Sequence, residues 1–198
     1  MVPPVLGFDF SSCMAAPESP EENMSSDRVY RARDPESGLE CRMTVSRGDG
    51  GGASAVVVEL RNPSNDHDIV LKVNTELSAF IMLTATDHRG TVLSTPARKF
   101  DSSEVQRFVF VRIARASSHR WRVPIVAQLP ASKIPEEGMK GRLVVNVALL
   151  FSTVSGEEQP ADGDFRSSLV TLYDMDVLFT RAALSEGGRP ATADPRSP

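Results

Sequence analysis

Residues 105–129, VQRFVFVRIARASSHRWRVPIVAQL, decide how this chain is read. In the second half Trp121, Val123 and Ile125 alternate with Arg120, Arg122 and Pro124. A period of two marks a strand with one buried face. The first half also reads as a strand, and a short polar turn joins the two. The stretch from Val105 to Leu129 holds the single tryptophan and five arginines, Arg107, Arg112, Arg115, Arg120 and Arg122, with no Asp or Glu. The pattern predicts Trp121 in a core and the guanidinium groups outside it.

Working outward, similar patterns recur between turn signals. Leu39 to Val45 alternates, and the glycine-rich turn RGDGGGA follows. That turn lacks the spacing of a phosphate loop, and a strand follows it where a helix N-terminus is required. The tripeptide Arg47-Gly48-Asp49 is read as part of the turn rather than as an adhesion motif. Ser54 to Arg61 is a β-branched strand. Asn62 to Asp68 is dense turn chemistry. Ile69 to Val73 and Ala79 to Thr86 are further strands, with Asp87 to Gly90 a hairpin turn and Thr91 to Ser94 the return.

Pro130 to Gly141 is a loop. Beyond it Leu143, Val145, Val147, Leu149 and Phe151 share one face, and Val144, Asn146, Ala148 and Leu150 the other. Two largely apolar faces place this strand centrally in a sheet. Thr153 to Asp164 is an acidic loop. In Ser168 to Thr180 the parity puts Leu169, Tyr173, Met175, Val177 and Phe179 inward and Asp174 and Asp176 outward. The expected architecture is an all-β, immunoglobulin-like antiparallel sandwich of seven to eight strands, with a barrel as the alternative. The sandwich spans residues 38–181. Residues 1–37 and 182–198 are polar tails expected to be disordered. The apolar cluster from Val5 to Phe10 is the exception in the first tail, either docking as an edge strand or serving as a binding peptide.

Composition narrows the function. The 198 residues carry a net charge of −4, which disfavours bulk nucleic-acid binding. The N-terminus lacks the basic segment of a signal peptide, and no apolar run reaches the length of a membrane span. A soluble, cytoplasmic protein is expected. Cys13 and Cys41 give no disulfide framework and are read as free thiols, with a bridge left open. Two cysteines and the scattered His67, His88 and His119 give no metal-ligand spacing. His119 follows Ser117 and Ser118, but neighbours on a strand point to opposite faces. No GxSxG elbow accompanies them. Asp174 and Asp176, Glu136 and Glu137, and Glu157 and Glu158 read as solvated carboxylates rather than a catalytic pair. The chain is therefore expected to be no enzyme and to need no cofactor.

From Val56 to Phe151 the features follow an order: VVVELRNPSNDHDIVL, the turn Asp87-His88-Arg89-Gly90, the strand SSHRWRVPI, and a proline-containing loop to Gly141 before RLVVNVALLF. This order resembles immunoglobulin-like sandwich modules of bacterial proteins, including intracellular proteinase inhibitor domains. The resemblance covers about half of the chain and transfers no functional residue. It implies action by protein–protein contact. The expected function is a binding or scaffold module that docks another protein, acidic in character, on a basic sheet face or an edge strand. Arg107, Arg112, Arg120 and Arg122 are the candidate contacts. Cross-strand pairing of these arginines with Glu59, Asp174 or Asp176 is the competing reading. Two alternatives are a proteinase inhibitor presenting the Pro130 to Gly141 loop and a carbohydrate-binding sandwich. The latter ranks lower because Trp121 and Tyr173 are expected to be buried.

Overall fold

The computed structural model describes residues 29–74, 80–94, 108–157 and 159–187. They form two antiparallel sheets packed face to face. The first sheet has the order β1 (Val29–Arg33), β2 (Glu40–Arg47), β3 (Ala53–Arg61), β7 (Ser118–Pro124). The second contains β5 (Ile81–Asp87), β8 (Met139–Val154), β4 (Asp68–Asn74) and β6 (Phe108–Ile113), with β9 (Arg166–Phe179) along the other edge of β8. One short helix, α1 (Arg181–Gly187), follows β9. The all-β sandwich expected from alternation is the observed fold.

The core lies between the sheets. Cys41, Met43, Val56, Val58 and Leu60 face it from the first sheet; Leu71, Ile81, Leu83, Val145 and Phe151 face it from the second. Burying each such side chain is worth about 1.5–3 kcal/mol, against about 1 kcal/mol or less for a surface ion pair. Packing between inner faces therefore decides the fold, and the outer faces are left to vary.

β8 is central, as its two apolar faces predict. It pairs with β9 from Met139 to Phe151, and on its other side with β5 and then β4. β5 meets β8 along one edge only. On the other, the side-chain amide of the buried Gln128 substitutes for a strand: its Oε1 accepts from Leu83 N at 2.8 Å and its Nε2 donates to Ile81 O at 3.1 Å.

Four findings sharpen or correct the reading. First, the two strands within residues 108–124, read as joined by a short polar turn, do not pair with each other. β6 pairs with β4 in the second sheet and β7 with β3 in the first, so the turn between them crosses the sandwich. The β3–β4 connection crosses beside it. Buried Asn62 fastens the two crossings: Nδ2 donates to His67 O at 2.9 Å and Ile113 O at 3.3 Å, Oδ1 accepts from Ser64 N at 3.0 Å, and Asn62 N donates to Ser117 O at 2.9 Å.

Second, β9 changes parity. Asp174 pairs with Leu143 and Val177 with Gly141, so Met175 and Asp176 together oppose Arg142. This β-bulge flips the alternation. Asp174 is buried, and Leu169, Tyr173 and Met175 are exposed. Asp174 Oδ1 accepts from Asp176 N at 3.2 Å.

Third, the domain starts earlier than residue 38, because Val29–Arg33 pairs with β2 throughout. Buried Asp34 then closes the β1–β2 turn. Its carboxylate accepts from Ser37 N at 2.7 Å and from the hydroxyls of Ser37 and Ser168, the latter on β9. Fourth, Arg181–Gly187 is helical and packs Ala183 and Leu184 into the interior. Residues 1–28, with Cys13 and the Val5 to Phe10 cluster, and residues 188–198 lie outside the described residues. Cys41 is a free thiol at the centre of the core, and burial, with Asp34 nearby, pushes its pKa far upward.

Candidate functional site

The outer face of the first sheet is a grid fixed by strand register. One row across β1, β2, β3 and β7 is Val29, Thr44, Val57 and Arg122; the next is Arg31, Arg42, Glu59 and Arg120; the third is Arg33, Glu40, Arg61 and Ser118. None of these twelve side chains is buried. Six guanidinium groups and two carboxylates give the face four excess positive charges in a chain of net charge −4.

The carboxylates sit among the arginines. Glu40 lies 3.7 Å from Arg42 and 3.6 Å from Arg61. Glu59 lies 3.3 Å from Arg120 and accepts from the Ser118 hydroxyl at 2.8 Å. Partial burial alone would raise the Glu59 carboxyl, but the Ser118 hydrogen bond and the Arg120 and Arg42 guanidinium groups hold it below its usual value. Arg31 stands directly opposite Arg42 in the register of β1 and β2. The Nε of Arg42 is buried with no hydrogen-bond partner among the described residues. Arg122 faces Val57, and among the described residues no carboxylate pairs with it.

Of the expected contacts, the structure brings Arg120 and Arg122 together and separates Arg112 from them. Arg112 belongs to β6 in the second sheet. It pairs with Asp68 at 3.1 Å and donates to Gly156 O at 2.6 Å and Glu157 O at 3.2 Å, clasping the acidic loop that follows β8. Lys72 grips the same loop through Asp162 at 3.0 Å. Arg112 therefore organises its own domain. Arg107 lies outside the described residues. Pairing with Glu59 occurs as the competing reading had it, through Arg120; Asp174 and Asp176 form no ion pair with Arg120 or Arg122 among the described residues.

Sequence reading missed Arg31, Arg33, Arg42 and Arg61. The signal was present in VYRAR and ECRMTV, whose arginines alternate with core residues. The first of these is only five residues long and adjoins an acid-rich segment, which hid it.

Other groups offer weaker chemistry. Ser64 Oγ and His67 Nδ1 are 3.1 Å apart, but the same oxygen accepts from Asp66 N and His67 N, which makes it a turn former. The His119 ring packs tilted against Trp121 with centroids 4.3 Å apart, and Trp121 meets Phe80 edge-on at 5.0 Å. Trp121 is half-buried against the core. In the Pro130 to Gly141 loop the Ile134 side chain is buried and Arg181 Nε donates to Ile134 O at 2.6 Å, so the loop is packed down. Among the described residues no group of three or more His, Cys, Asp or Glu is placed to hold a metal, and no helix is long and apolar enough to cross a membrane. Comparison of this chain with protein-family models, with curated proteins and with solved structures returns no match.

Proposed function

We propose that this protein is a non-catalytic binding module whose outer first-sheet face docks an acidic protein partner. The observation that carries the reading is a face on which Arg33, Arg42, Arg61, Arg120 and Arg122 share two carboxylates, Glu40 and Glu59, with Arg122 paired to neither. A fold retains such a face at a cost, and an incoming carboxylate surface relieves it through charge-assisted hydrogen bonds. Arginine suits this role because its planar fork meets carboxylates bidentately. The outward positions carry no aromatic side chain, which favours carboxylates over the stacked bases of a nucleic acid. The resemblance to immunoglobulin-like modules supports the same kind of role.

A labelled oligoglutamate peptide tests the reading, with affinity measured across a salt series. Binding is expected to fall at least tenfold when Arg120 and Arg122 become Glu, and to weaken steeply with salt on the order of the Debye screening at 0.15–1 M. Unchanged affinity in that double variant, with its melting temperature held, rejects the basic face as the docking surface.

A further inference from the structure

We infer that the acidic partner docks as an extended strand added antiparallel to the open edge of β7, its carboxylates beside Arg120 and Arg122 and its apolar side chains beside Trp121, an inference that rests on the binding role just proposed. Three observations carry it. The first is the edge itself. β7 ends the first sheet, and among the described residues it pairs with β3 alone. Residues of an antiparallel pair alternate between those that exchange backbone hydrogen bonds and those that do not. Asn62 N donates to Ser117 O one step beyond the pairing of Arg61 with Ser118, which sets the phase. Counting by two from there, His119, Trp121 and Val123 turn their peptide groups toward β3, and Ser118, Arg120 and Arg122 turn theirs to the open side. Pro124, which has no N–H to offer β3, falls in the outward set, as this phase requires.

The second is charge. A guest residue directly opposite Arg120 or Arg122 carries its side chain on the same outer face. The Arg120 side chain is 70% exposed although Glu59 lies 3.3 Å away, and among the described residues no carboxylate pairs with Arg122. Charged residues and proline on an edge keep copies of a chain from joining. The two guanidinium groups repel those of a second copy and attract a strand of opposite sign. The third is the other side of the same edge. Trp121 is half-buried and His119 is exposed, with ring centroids 4.3 Å apart. An apolar side chain flanked by two acidic ones has these rings to cover. The partner segment that fits this edge therefore alternates acidic and apolar residues.

The test uses the full-length chain and three acetylated, amidated peptides of equal charge: Glu-Val-Glu-Val-Glu-Val-Glu, the same sequence N-methylated at its glutamates, and the same sequence N-methylated at its valines. In an antiparallel guest the glutamate N–H groups face β7 and the valine N–H groups face away. Methylating the glutamates is expected to weaken binding at least about tenfold, and methylating the valines less than about threefold. If the two methylated peptides bind alike, the strand contact is overturned while the docking role stands, provided Arg120→Glu with Arg122→Glu abolishes binding of the parent peptide. Loss on valine rather than glutamate methylation overturns the antiparallel register. If oligoglutamate binds and the alternating peptide does not, the strand contact alone is overturned. If neither binds, the docking role falls and the strand contact with it.

Discussion

The two outer faces of this sandwich differ more than the two inner ones. Both inner faces are lined by apolar side chains. Outside, the first sheet presents guanidinium groups in rows. The second presents Leu169, Tyr173 and Met175 on β9 and Phe108 and Phe110 on β6, all at least 36% exposed. The contrast teaches that burial between the sheets is strong enough to leave each outer face free for other demands. Contacts made by the first face would be salt-sensitive, and contacts made by the second would not.

The most forceful way to break the comparison is to damage the second sheet from within. A methyl group at Gly141 would sit 2.2 Å from Thr86 O, a backbone atom that cannot step aside. Gly141→Ala is expected to cost about 3 kcal/mol or more in urea unfolding. Asn62→Ala attacks the link between sheets. It strands two buried carbonyls and is expected to cost about 2–3 kcal/mol, while Asn62→Asp recovers little because it cannot donate. Each result is read as a shift in unfolding midpoint.

The outer faces should respond far less. Replacing Leu169, Tyr173 and Met175 together by Ser is expected to change stability by about 0.5 kcal/mol or less per site while lowering the binding of a hydrophobic dye. A loss of several kcal/mol would show that this face is covered in the intact chain. The smallest effect is pH dependence. Glu59 and Asp68 both titrate below their ordinary values of 4.5 and 3.8. For Asp68 desolvation pulls upward and is outweighed by hydrogen bonds from Arg112 and from Arg115 N, with the charges of both arginines adding to them. A depressed folded-state value stabilises fully above the ordinary one and is lost as pH falls through the lower folded value. Stability is therefore expected to decline on acidification below pH 4.5, and Glu59→Gln should flatten part of that slope in melts recorded across pH.

Much of this was legible from alternation. β8 declared its central place because Leu143 to Phe151 and Val144 to Leu150 are apolar on both parities. The failures have particular causes. A bulge inserts one residue, and period-two reading has no means of registering it, so Tyr173 and Asp174 exchanged places. Residues 105–129 show two strands but not whether they pair, since a four-residue connection serves a hairpin or a crossing equally well. That ambiguity put Arg112 on the wrong sheet, while only strand register brings Arg31, Arg33, Arg42 and Arg61 beside Arg120 and Arg122. With Tyr173 exposed, the argument that ranked carbohydrate binding low loses one of its two supports.

The paired crossings fastened by Asn62 also bear on synthesis. β2 and β3 can zip locally, but the remaining edge of β3 waits for β7, whose residues are made more than fifty positions later. Until then the nascent chain shows a greasy ribbon with an open side, a natural client for chaperones. Closure arrives for both layers in a single late step, so the molecule should ripen all at once rather than sheet by sheet.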